Sequence, residues 1–144
     1  MEKSQLEIKL SGLRESENDY GKWQHYTFTA YEITLPIAHV AVDRVKKVKD
    51  PRISNGSFFM DFDFKPPRPR PYLFYMGTEE DYKGRGIAGM LIEFANEFFK
   101  NEFGTPLHSG VINEESASRV WEKLVEEKKA TEYKHDGKRR WAMY

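Results

Sequence analysis

The chain has 144 residues, with 39% hydrophobic and 15% aromatic side chains, 23 Lys and Arg against 23 Asp and Glu, and no cysteine. This length makes one domain, residues 1–144, able to bury a core, and the composition is too apolar for a disordered chain. The missing cysteines exclude disulfides, thiolate metal sites and a cysteine nucleophile, and the zero net charge argues against a dedicated nucleic-acid binder. Met1–Gln5 lacks the apolar core of a signal peptide and no run is long enough to span a membrane, so the expected location is the cytoplasm.

The first half reads as strands. Leu6, Ile8 and Leu10 alternate with Glu7 and Lys9, which predicts a short half-buried strand ending at Ser11-Gly12. Arg14 to Lys22 is polar, with Asn18-Asp19 and Gly21, and reads as a loop or a short exposed helix. Tyr26 to Leu35 suits a pleated strand, Pro36 interrupts it, and Ile37 to Val42 resumes. A basic run, Arg44 to Arg52, and a turn at Ser54-Asn55-Gly56 lead to a strand over Phe58 to Phe64, with Asp61 and Asp63 on one face. The proline-rich segment from Lys65 to Pro71 cannot join a sheet, and Tyr72 to Thr78 is the next strand.

The period then changes. Ile87, Met90, Leu91, Phe94, Ala95, Phe98, Phe99 and Phe103 follow helical spacing, with Gly104 and Pro106 as the stop. Leu107 to Ile112 reads as a short strand and Asn113 as the N-cap of a second helix, whose stripe is Ala117, Val120, Trp121, Leu124 and Val125. Ala130 to Tyr144 reads as two strands around His135-Asp136-Gly137. The order implies an α+β domain: a mixed, mostly antiparallel sheet with a parallel β-α-β crossover in the middle.

The most informative stretch is Tyr82-Lys83-Gly84-Arg85-Gly86-Ile87-Ala88-Gly89, between a strand and a strong helix. Free amides at a helix start, in a loop without side-chain bulk, suit phosphate oxygens, and Lys83 and Arg85 add positive charge. A P-loop is excluded, because Met90-Leu91 follows Gly89 where Lys-Ser or Lys-Thr is needed. Gly84, Gly86 and Gly89 also spell the G-x-G-x-x-G of a dinucleotide fold. A charged loop, Glu79 to Lys83, precedes that motif, and the next strand ends in Asn113 rather than a ribose-binding acid.

Lys83-x-x-Gly86-x-Ala88 resembles the (Gln or Arg)-x-x-Gly-x-(Gly or Ala) signature of the GNAT family of N-acetyltransferases, with Lys in place of Arg. Asn113 followed by Ser116 to Leu124 resembles that family's last helix. The resemblance runs from about Tyr72 to Leu124, while the helices usual after the family's first strand are shortened or missing here. It implies a GNAT-like fold and an enzyme that uses acetyl-CoA to acetylate the primary amine of a small molecule or protein. It further implies that coenzyme A meets Met76, Gly77 and Thr78, the loop Lys83, Gly84, Arg85, Gly86, Ile87, Ala88 and Gly89, and Asn113, which otherwise serves only as a cap.

Gly77 fits a strand bulge, a close backbone approach or a simple kink. Glu79, Glu80 and Asp61 are the candidate general bases, with Asp63, Asp81 and His108 as weaker alternatives. The family often has a tyrosine as thiolate-protonating acid where Trp121 stands, and an indole cannot fill that role, so Trp121 is expected in the core and Tyr133 or Ser118 are substitutes. That departure supports the alternative of a non-catalytic acyl-CoA-binding or protein-interaction domain. No metal-ligand spacing is present, a nucleic-acid role for the basic and Pro-Arg segments is disfavoured by the neutral charge, and a homodimer is compatible with the sequence.

Overall fold

The computed structural model describes residues 6–17, 21–48, 71–109, 115–135 and 137–144. In chain order these form β1 (Leu6–Glu17), β2 (Gly21–Glu32), β3 (Leu35–Val48), β4 (Tyr72–Thr78), a 3-10 turn (Glu80–Tyr82), α1 (Ile87–Phe103), α2 (Glu115–Glu126), β5 (Ala130–His135) and β6 (Lys138–Met143). The first four strands make an antiparallel sheet in the order β1-β2-β3-β4, and β5 and β6 make a separate antiparallel hairpin.

The two-residue period of the strands splits that sheet into two faces. Tyr26, Phe28 and Ala30 of β2 lie opposite Val42, Val40 and Ala38 of β3, and all six are buried. α1 lies against this face and contributes Ile87, Leu91, Ile92, Ala95 and Phe99 to the core. Edge-to-face ring contacts lock the layers, with Tyr26 and Phe99 centroids 4.9 Å apart and Phe28 and Phe98 5.4 Å apart. Burying the four large side chains of that helix stabilises by on the order of 8 kcal/mol, far more than one helical glycine costs. Gly104, in the left-handed region at φ 70°, ends α1, and its amide returns to the Lys100 carbonyl at 2.9 Å.

Several expectations need correction, the fold class first. No two described strands pair in parallel, so the GNAT-like mixed sheet with a central parallel β-α-β unit is not what the chain forms. Of the expected strand Leu107 to Ile112, the described part makes only isolated bridges at His108, parallel to Tyr72 and antiparallel to Ala142. Two backbone bonds join it to β4 and the residue before it, Leu73 N–H to the His108 carbonyl (2.7 Å) and His108 N–H to the Pro71 carbonyl (3.0 Å). At Phe74 the pairing of β3 with β4 shifts by one residue, a bulge in β4.

β1 also runs on to Glu17 instead of stopping at Ser11-Gly12, and Arg14 to Glu17 is strand rather than loop or helix. Ser11 is absorbed as a bulge, its hydroxyl 2.6 Å from Thr29 Oγ1 and 3.1 Å from the Thr27 carbonyl. Charged residues are tolerated there because β1 is an edge strand among the described residues. Pro36 does not interrupt the sheet: it sits second in β3, next to a register shift that skips Ile37. The expected strand Phe58 to Phe64 and the segment from Lys65 to Arg70 lie outside the described residues.

Candidate functional site

The site is built on the end of β4 and the start of α1. In an antiparallel ladder, residues alternate between bonding the neighbour and pointing outward. Glu79 N–H donates to the Ile37 carbonyl (2.8 Å), and Gly77 lies opposite His39, so Glu79 and Gly77 turn their amides toward β3. The Met76 and Thr78 amides therefore face the outer edge of β4, where neither meets an acceptor among the described residues.

The loop follows directly. Gly84 and Gly86 both hold φ 78°, a left-handed conformation that costs a side-chain-bearing residue about 1–2 kcal/mol. Gly86 caps α1 with no side-chain hydrogen bond, and the first intrahelical bond runs from Met90 N–H to its carbonyl at 3.2 Å. The amides of Ile87, Ala88 and Gly89 thus lack acceptors among the described residues, and the first turn carries no acidic side chain. A Cβ built on Gly84, Gly86 or Gly89 would meet nothing within 4 Å, so the main chain lies open here.

Side chains of the 3-10 turn hold the loop's base. The Tyr82 hydroxyl donates to Glu32 Oε1 at 2.9 Å, which raises the phenol's ionisation, and the Arg85 guanidinium lies 5.1 Å from the Tyr82 ring centre. Lys83 Nζ pairs with Glu80 at 3.0 Å, with both groups well exposed. Such a surface pair is worth little, so a phosphate can take Lys83 from it.

The proposed bases fare unevenly. Glu80 is exposed and engaged by Lys83; Glu79 is exposed where β4 ends; Asp61 lies outside the described residues, as do Asp63 and Asn113. Gly77 is neither bulge nor kink. A Cβ there would lie 3.2 Å from His39 Cε1 and 3.3 Å from Tyr75, so the glycine makes room for those rings, which stack at 5.1 Å. Trp121 is fully buried, as its stripe predicts, and its indole N–H has no partner among the described residues. Tyr133 is committed elsewhere, its hydroxyl 3.0 Å from His108 Nδ1.

Sequence reading missed the sheet face opposite α1. There Ser16 Oγ lies 2.7 Å from His25 Nε2, His25 Nδ1 lies 2.7 Å from Asp43 Oδ1, and the Tyr72 hydroxyl donates to Asp43 Oδ2 at 3.3 Å. The signal was the alternation Trp23, His25, Thr27, Thr29 against Tyr26, Phe28 and Ala30; the cross-strand partners depend on register, which a one-residue slip would change. Among the described residues no three His, Asp or Glu side chains are grouped to hold a metal, and no helix is long and apolar enough to cross a membrane. Scanned against protein-family models the chain matches none, and a search of curated proteins also returns no match.

Proposed function

We propose that this chain is an acetyl-CoA-dependent N-acetyltransferase acting on a primary amine of a small molecule or protein. Lys83 to Gly89 holds the pyrophosphate and the outer edge of β4 aligns the thioester. The reading rests on the loop, not on the sheet topology. Gly89 carries it: it is a helical residue outside the left-handed region with open space where a side chain would be, so neither backbone conformation nor packing calls for glycine. A ligand lying against the main chain does call for it.

The loop fits a pyrophosphate. Ile87, Ala88 and Gly89 offer amides, Lys83 and Arg85 offer cations, and no first-turn acid opposes the anion. The bound thioester supplies an acetyl group open to amine attack and a thiolate leaving group. The Met76 and Thr78 amides, turned to the outer edge of β4, donate to the acetyl oxygen as negative charge grows on it. Glu79, beside that edge and not tied up by Lys83, is the acid best placed to accept the amine's proton. Buried Trp121 offers the thiolate no proton, and this favours the second reading, a domain that binds acyl-CoA without turnover.

Titrating acetyl-CoA while following the melting temperature, then assaying thiol release against a panel of amines, tests both readings. Binding is expected to add about 2.7 kcal/mol of stability at a hundredfold excess over Kd. A folded sample unmoved by millimolar acetyl-CoA removes the proposal, and a shift without turnover leaves the binding domain.

A further inference from the structure

Four side chains from four adjacent strands form a single line across the sheet face opposite α1. His25 stands directly across from Asp43, Asp43 directly across from Tyr72, and Ser16 lies diagonal to His25, across from Trp23. The carboxylate can only accept, so the 2.7 Å contact requires the proton of a neutral His25 to sit on Nδ1. Nε2 is then the free lone pair, and it faces the Ser16 hydroxyl at 2.7 Å. Tyr72 occupies the other Asp43 oxygen; burial, and then the charge of Asp43, push its ionisation far up, so it stays a donor. The His25 and Asp43 side chains are 19% and 14% exposed, sheltered but reachable, while Ser16 at the outer end is open to solvent.

Stability does not account for the last link. The backbone ladders already join β1 to β2 and β2 to β3, and an exposed hydroxyl that exchanges water for a ring nitrogen gains little. What the chain of bonds does provide is a hydroxyl whose proton has a base waiting, a base whose tautomer and angle are set, and a buried phenol holding the carboxylate that sets them. Arg14 stands on the same face, across from His25 and two residues before Ser16, and adds a cation to that face.

We infer that Ser16, His25 and Asp43 form a second reactive site, at which Ser16 takes the acyl group of a short-chain activated ester and water then releases it. As the Ser16 Oγ–carbonyl bond forms, the hydroxyl proton passes to His25 Nε2. Collapse of the tetrahedral adduct breaks the ester C–O bond, and the departing alkoxide takes that proton. Water next attacks the acyl-serine, giving one proton to His25 and through it to Oγ. The net change is ester plus water to carboxylic acid plus alcohol. Coenzyme A has no part in it, so this site stands or falls independently of the acetyl-CoA loop.

The test uses the full chain and 4-nitrophenyl acetate, with no coenzyme A present. Nitrophenol release is followed together with peptide mass mapping of the quenched protein and of a sample treated with a fluorophosphonate probe. The expected result is an acetyl or phosphonyl adduct on Ser16, with Ser16→Ala abolishing the adduct and slowing release about a hundredfold. Asp43→Asn keeps the side-chain shape and the Tyr72 contact but favours the wrong His25 tautomer; it is expected to slow release by a similar factor with the melting temperature little changed. A folded wild-type protein that leaves Ser16 unmodified, or a Ser16→Ala protein that hydrolyses the ester at the wild-type rate, overturns the inference.

Discussion

Gly89 and Gly86 are both glycines of one loop, yet they answer different questions. Gly86 holds φ 78°, so any replacement strains the backbone and confounds binding with folding. Gly89 has no such constraint, and its missing methyl would touch nothing. Gly89→Ala is therefore expected to raise stability by about 0.5 kcal/mol, through the lost entropy of the unfolded chain. The same methyl would stand where the pyrophosphate approaches, so acetyl-CoA affinity is expected to fall at least tenfold. Urea titration and calorimetry on the one variant read the two effects separately; higher stability with unchanged affinity would place the ligand elsewhere. Gly77 shows what composition alone hides. The strand pattern marks it as unusual, but only the pairing with β3 reveals that His39 and Tyr75 need its space.

At the scale of elements, the helices were the legible part. Gly86 and Gly104 bracket α1 where the glycines and the apolar period place its ends, and Tyr72–Thr78 forms over the expected range. Of the expected strand Leu107 to Ile112, the described residues make only isolated bridges at His108, because strand propensity does not say which neighbour a segment's backbone bonds reach. Asn96 escaped notice too, a polar residue within the apolar stripe of α1. It is buried, its Oδ1 accepts from Leu107 N–H at 2.9 Å, and its Nδ2 donates to the Tyr144 carbonyl at 3.1 Å. It thereby ties α1 to both the returning loop and the C-terminal residue. Asn96→Ala leaves those two backbone groups without partners, and chemical denaturation is expected to show a loss of about 2–4 kcal/mol. A loss below about 1 kcal/mol would mean that water replaces the amide.

For the molecule as a whole, the candidate phosphate loop could be located from sequence because its glycines, cations and helix start are contiguous. The Ser16, His25, Asp43 and Tyr72 line could not, since its members span residues 16–72 and meet only through three strand registers, each of them shifted along its length. The bulge at Ser11 has a consequence of another kind. β1 is a twelve-residue strand with a free outer side among the described residues, and Leu10 and Leu13 are exposed on it. A straight strand of that length is a template on which a second chain can lay its own backbone. The one extra residue kinks and twists it, and Lys9, Arg14 and Glu15 surround the kink with charge. Deleting Ser11 would keep Leu6, Ile8, Leu10 and Leu13 facing α1 while straightening the strand. Light scattering on the deletion variant is expected to reveal concentration-dependent assembly absent from the parent, so that a single residue contributing almost nothing to the core sets how concentrated a solution the protein withstands.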